Sequence, residues 1–127
     1  MRGVAPFLPS VVYAGIIFAL SAQSNPLQFL PPELLLQDKL LHAIEYAALG
    51  ALLVPALRLA GRSPAASLVL ATGLASLYGA TDEFHQSFVP GRSADVLDWV
   101  ADTLGAALGA LAAFAATGAL RRARGAG

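Results

Sequence analysis

The sequence predicts an all-α protein, a four-helix transmembrane bundle with a polar cluster at its extracytoplasmic end. Three observations lead there. The 127-residue chain is 57% hydrophobic and only 13% charged, with mean hydropathy +0.65. Soluble domains carry roughly 25% charged residues, so a chain this apolar could not clothe a surface facing water. Four apolar segments, separated by proline and glycine breakers, use almost the whole length, because a span takes about 20 residues. Finally, acids and bases collect at opposite ends of those segments. The length suits a single domain over residues 1–127.

The first segment runs from about Phe7 to Ala22 and is uncharged. Pro9 is placed in its first turn, where a missing N–H costs little. A secretory signal peptide would share the basic Arg2 and the apolar run, but three more apolar segments follow. The linker QSNPLQFLPPELLLQ contains Pro26, Pro31 and Pro32 and cannot form one regular helix. Its leucines and Phe29 suggest a path along the membrane interface.

The second segment, from about Asp38 to Leu59, opens with two polar turns carrying Asp38, Lys39, His42, Glu45 and Tyr46. Pro55 is expected to kink or end it. GRSP, Gly61 to Pro64, is a tight turn. The third segment runs from about Ala65 to Thr81 and then meets Asp82, Glu83, His85 and Gln86. VPGRS, Val89 to Ser93, is the next turn, with Ser93 a candidate N-cap. The fourth begins near Asp95, carries Asp98 and Asp102, stays uncharged from Thr103 to Leu120 and closes with RRAR. The last residues, Gly125 to Gly127, read as frayed.

Orientation follows from lysines and arginines in short loops. Arg2, Arg58, Arg62, Arg121, Arg122 and Arg124 fall on one side of a four-span topology, and only Lys39 and Arg92 on the other. Both termini and the GRSP turn are therefore expected on the cytoplasmic side. All eight acids then fall on or near the outer side, as do both histidines. The rule counts basic residues only, so this sorting of the acids is independent support.

A helix turns roughly 100° per residue. Asp38, His42 and Glu45 are spaced i, i+4, i+7 and share a face, with Tyr46 beside it. Asp82, His85 and Gln86 share one if the third helix continues that far. Asp95, Asp98 and Asp102 share another, which Gly105 and Gly109 continue deeper. Small residues let a neighbouring backbone approach closely, so this acid stripe should point into the bundle. The glycines serve packing within the bundle or between protomers. Ionisable groups near hydrocarbon are expensive, so they pair with one another or line a wet cavity. The alternative is a set of caps and first-turn acids at the interface, which fits Asp38 and Asp95 best. Glu33 reads as solvated, Tyr13 and Tyr78 as interfacial or packing residues, and Trp99 as an aromatic-belt anchor.

Several chemistries are excluded or unsupported. The chain has no cysteine, hence no disulfide or thiolate. It has no phosphate-binding glycine loop, no HExxH and no GxSxG. Its one basic cluster is too short to argue for nucleic acid. Carboxylates and imidazole suit a divalent cation, although no spacing specifies one. The charges stop in the outer half, which argues against an ion conduit.

FALSAQSNP (Phe18 to Pro26), DKLLHAIEYAALG (Asp38 to Gly50) and TDEFHQSFVPGRSADVLDWVADTLGAALG (Thr81 to Gly109) together resemble the VanZ-like family of bacterial membrane proteins. The joint pattern D-K-x-x-H-x-x-x-Y followed by D-E-x-x-Q-x-F-x-P-G-R-x-x-D-x-x-D is specific. At Asp102 the family often carries Asn, and Glu45 and His85 are weaker members of the pattern. The family is named for a protein linked to teicoplanin resistance, which does not imply that this chain confers it. The resemblance implies a small protein of the bacterial cytoplasmic membrane. A proposed kinship with enzymes of lipid head groups would carry over to Asp38, His42, Asp82, Glu83, Gln86, Arg92, Asp98 and Asp102.

Two functions compete. One is an enzyme acting on a phospholipid, polyprenyl-linked or teichoic-acid-type head group. In it Arg92 and Lys39 hold a phosphate, with Tyr46 and Asp95 beside the substrate. His42 is base or nucleophile, Asp38 or Glu45 orients it, and Gln86 positions a head-group oxygen. Asp82, Glu83 and Asp98 supply an acid or hold a divalent cation, and Asp102 is counted among the catalytic residues without a separate role. The other is a non-catalytic binder of an envelope lipid or lipophilic glycopeptide. Membrane lipids are the expected partners in both, and a homo-oligomer or an envelope protein partner is compatible with either.

Overall fold

A computed structural model of the chain describes residues 3–24, 31, 33 and 38–126. Its element order is a 3-10 turn, Ala5–Phe7, then α1 (Leu8–Ser21), α2 (Asp38–Leu59), α3 (Pro64–Gln86) and α4 (Val96–Gly125). The described residues contain no strand. The expectation that the proline linker follows the interface falls largely on residues outside this set, as does Arg2.

α2, α3 and α4 are each long and apolar enough to cross a membrane. α1 and its 3-10 turn are shorter, with 17 residues in all from Ala5 to Ser21. At about 1.5 Å per α-helical residue and about 2.0 Å per 3-10 residue they rise roughly 27 Å, just under a hydrocarbon core of about 30 Å. Pro9 sits in the first turn of α1, as expected. Aliphatic side chains on all four helices face outward, among them Val11, Ile16, Leu77, Leu104 and Leu108. That is how a bundle solvated by lipid should look.

The turns have clear local causes. At the end of α2, Gly61 takes φ +88°. The Arg62 N–H donates back to the Leu57 carbonyl (3.0 Å), a Schellman closure that only glycine adopts cheaply. The Ser63 hydroxyl accepts the Ala66 N–H (3.2 Å) and Pro64 follows at the start of α3, an N-cap with proline just inside. Pro55 does not end α2, which continues to Leu59. Proline removes one backbone bond there, on an exposed side and one turn before the helix stops anyway. α3 passes Thr81 and runs to Gln86, carrying its acids on helical geometry. Pro90 and Gly91 (φ +78°) then form a turn closed by the Arg92 N–H on the Val89 carbonyl (3.0 Å), as a type II turn requires. The N-cap of α4 is Asp95, whose carboxylate accepts the Leu97 N–H (2.9 Å); Ser93 lies upstream of the cap. RRAR and Gly125 remain helical.

The tightest pairing is α2 against α4. A methyl group on Gly105 would collide with the backbone of Ala43, and one on Gly109 with that of Ala47. Gly50 of α2 meets the Ala106 backbone in the same way. These glycines therefore serve packing within the bundle. The buried core below the polar layer is built from Ile17, Leu49, Leu53, Val54, Leu57 and small alanines of α3 and α4. α1 is strapped on by two phenols. Tyr13 donates to the Glu45 carbonyl (2.8 Å) and Tyr78 to the Ala14 carbonyl, so both are packing residues as expected.

Candidate functional site

The short turns make α2, α3 and α4 antiparallel neighbours, which brings the start of α2, the end of α3 and the start of α4 to one layer. The α2–α4 glycine seam draws His42 and Asp102 together. His42 Nδ1 lies 2.8 Å from Asp102 Oδ1, and Asp102 is fully buried. Glu83 Oε1 is 3.9 Å from the same nitrogen. On the other side of the ring, Nε2 lies 3.6 Å from Asp98 and 3.7 Å from Asp38. One buried imidazole thus faces four carboxylates, two at each nitrogen.

Lys39 caps this layer. Its ammonium donates to Asp95 (2.8 Å) and to Asp98, with Asp38 at 3.9 Å. Asp95 lies outside the spanning helices, and two donors hold its carboxyl below the usual range. The Lys39 ammonium is the larger cause and the Leu97 N–H the next. The Asp95 backbone N–H donates to Glu83 Oε2 (3.1 Å), tying the start of α4 to α3. Deeper in, the buried Tyr46 hydroxyl donates to Asp82 Oδ2 (3.2 Å).

Asp82, Glu83, Asp98 and Asp102 are each no more than 6% exposed, whereas Asp38 stands open to solvent. Carboxylates and an imidazole from three helices converge on a layer entered from the Asp38 side. Such an array can move a proton between His42 and a bound group, and it can hold a cation. His42 with Asp38 and Asp98, or with Glu83 and Asp102, each offers three ligand atoms within 4.8 Å of one another.

Not every expected residue joins. Glu45 is half-buried, and its carboxylate has no hydrogen-bond or ion-pair partner among the described residues. The carboxylate that orients His42 is therefore Asp102, one hydrogen bond away, and neither Asp38 nor Glu45. Gln86 is buried and donates to Ser21 of α1 (3.3 Å), which uses its amide to hold the bundle. His85 turns away and stacks on Phe18, ring centroids 4.6 Å apart. Arg92 donates to the Gln23 carbonyl (2.9 Å) at the rim, and no acid pairs with it among the described residues. Lys39, by contrast, is committed to Asp95 and Asp98. Trp99 is part-exposed, and its indole N–H donates to the Ser76 carbonyl (2.9 Å), so its polar edge is satisfied by protein while the ring faces outward.

Gly79 was not singled out by sequence reasoning, yet it makes room for the site. A Cβ there would stand 3.1 Å from Asp102 Oδ2 and 3.3 Å from the Tyr46 ring. Its position on the stripe of Asp82, Glu83 and Gln86 was the available signal.

A model of the VanZ/LLP1 family matches residues 6–117. The chain belongs to this family. The match runs from α1 to near the end of α4, so every residue of the VanZ/LLP1 layer described above lies inside it. No curated protein and no solved structure matches the chain.

Proposed function

We propose that this VanZ/LLP1 membrane protein is an enzyme acting on the head group of an envelope lipid, of phospholipid, polyprenyl-linked or teichoic-acid type. The observation that carries this reading is the His42–Asp102 pair, buried at the end of an apolar bundle yet reached past the exposed Asp38. A base oriented by a hydrogen-bonded carboxylate is the recurring arrangement for activating a nucleophile. With Nδ1 held by Asp102, Nε2 points toward the open side, where it accepts a proton from an attacking hydroxyl or attacks directly. The proton that Nε2 takes is returned by the same imidazole to the leaving oxygen, with Asp98 and Asp38 flanking that nitrogen to stabilise the charged ring. Arg92 is the cation at the rim that no described acid holds, so a head-group phosphate is assigned to it.

The charge distribution supports an outward-facing site. The arginines of the α2–α3 turn and of the end of α4 lie opposite the acid layer, and basic residues favour the cytoplasmic side. In this reading all four helices cross the bacterial cytoplasmic membrane and both termini are cytoplasmic. The α1 segment crosses slightly short, anchored by its phenol contacts.

The test is turnover by purified protein in nanodiscs carrying defined phospholipids or polyprenyl-phosphate sugars, read by phosphorus NMR and mass spectrometry. Wild-type protein is expected to release or exchange a head group. His42→Gln and Asp102→Asn are expected to lose about 10²- to 10⁴-fold in rate while lipid binding persists. Saturable binding of a lipid or a lipophilic glycopeptide without turnover, in wild type as in the variants, would replace the enzyme with a binder.

A further inference from the structure

We infer that His42, Glu83 and Asp102 form a binding site for one divalent cation of intermediate hardness, Mn²⁺ or Zn²⁺ in character. Two separate observations meet here. The first is geometric: α2, α3 and α4 each supply one ligand atom, and the three atoms lie within 4.8 Å of one another with all three residues buried. The second concerns oxygens without partners. Glu83 Oε1 and Asp102 Oδ2 are buried and have no hydrogen-bond partner among the described residues, and Asp82 Oδ1 nearby on α3 is in the same condition. Buried polar atoms are almost always satisfied, and a carboxylate taken out of water without a counter-charge is very costly.

Charge accounting gives the same direction. Lys39 is spent on Asp95 and Asp98. No lysine or arginine pairs with Asp82, Glu83 or Asp102 among the described residues. Glu83 and Asp102 face a single imidazole, and Asp82 is met only by the Tyr46 hydroxyl among the described residues. A cation on His42 Nδ1, Glu83 and Asp102 would stand where His42 Nδ1 and Asp102 Oδ1 now lie at hydrogen-bond distance, 2.8 Å. The other ring nitrogen, Nε2, then carries its proton toward Asp98 (3.6 Å) and Asp38 (3.7 Å), the usual outer support for a metal-bound histidine. One imidazole with two carboxylates suits Mn²⁺ or Zn²⁺ better than the all-oxygen sets that Ca²⁺ prefers. The outer trio of Asp38, His42 and Asp98 is the poorer site. Asp38 is exposed, and Lys39 already neutralises Asp98.

The site rests on the layer's geometry and not on the lipid chemistry, so its failure would leave that reading standing. With the cation bound, the protonated Nε2 no longer serves as base, and Asp38, 3.7 Å from it and open to solvent, takes that role. Full-length protein, purified in detergent and stripped with a chelator, is titrated with Mn²⁺ alone, and free Mn²⁺ is read from its EPR signal. One Mn²⁺ per chain is expected, with the melting temperature rising as the site fills. Glu83→Gln and Asp102→Asn should each weaken binding at least about tenfold, whereas Asp38→Asn should leave it within about twofold. A second readout does not depend on the acid variants folding. With ¹⁵N-labelled histidine, Zn²⁺ should move the Nδ1 resonance of one imidazole, and that signal should persist in His85→Gln. No saturable Mn²⁺ binding, binding indifferent to Glu83→Gln and Asp102→Asn, or binding lost with Asp38→Asn would each overturn the site. The first of these outcomes assigns the charge balance to protons.

Discussion

The two ends of the bundle treat charge in opposite ways. At one end Glu83, Asp98 and Asp102 are buried around His42 across three helices, and the buried Asp82 accepts from Tyr46. At the other end Arg62, Arg121, Arg122 and Arg124 are exposed. The half-buried Arg58 there donates only to the Arg62 backbone carbonyl (2.7 Å). A charged side chain that reaches water stabilises a fold little, and long arginines reach it easily. A short carboxylate locked behind a glycine seam cannot. The arginine end therefore needs only sequence to work as a topology signal, whereas the acid end needs the fold to exist at all. A buried charge layer that costs stability and is nevertheless built is what the proposed site calls for.

The largest effect that separates the two ends is expected from Asp102→Ala. It removes the partner of His42 Nδ1 from a fully buried position, and breaking such a pair costs about 3 kcal/mol or more. Thermal unfolding in detergent measures this, and a melting temperature equal to wild type would contradict the structural part of the reading. Next comes the seam that joins the ends. Gly109→Ala forces a methyl into the Ala47 backbone and should cost about 1–3 kcal/mol, seen in the same melts. Arg121→Gln tests the opposite end. It should move stability by no more than about 0.5 kcal/mol. Combined changes of Arg58, Arg62 and Arg121 to Gln should instead weaken the orientation of a C-terminal reporter that is active on one side only.

The smallest effect is on pH dependence. The Lys39 ammonium holds the Asp95 carboxyl below the range of an unfolded chain. Its contribution is therefore present above the unfolded-state value, about 3.9, and is lost as pH falls through the lower folded value. Asp95→Asn should flatten that part of the acid limb relative to wild type, and identical limbs would show that the Lys39–Asp95 contact adds nothing.

Much of this site was legible as helical faces. Asp95, Asp98 and Asp102 with Gly105 and Gly109 read as one inward stripe; the structure buries Asp98, Asp102 and the two glycines, while Asp95 is the partly exposed cap just before the helix. Lys39, His42 and Tyr46 could be placed in the layer because their spacing puts them near Asp38 on α2. Pairings across helices were not legible. That Asp102 and not Asp38 orients His42, that Tyr46 donates to Asp82, and that Lys39 spends its charge on Asp95 and Asp98 all depend on how three helices rotate and slide against one another. Gln86 and His85 lie on the helix that carries Asp82 and Glu83 but meet α1, through Ser21 and Phe18. The Ser93 cap went to Asp95 because the backbone turns two residues later than composition suggested.

By itself the sequence determined the medium, the helices and the sorting of charge. These are set by apolar length, by breakers and by the cost of placing a base or an acid at a given depth, all local or summed quantities. Only the tertiary structure decided which carboxylate meets which nitrogen, since that depends on ångström-scale approach of α2 and α4 at Gly50, Gly105 and Gly109. Hydrogen bonds fail over a few tenths of an ångström, and no periodicity in a single chain specifies distances that fine.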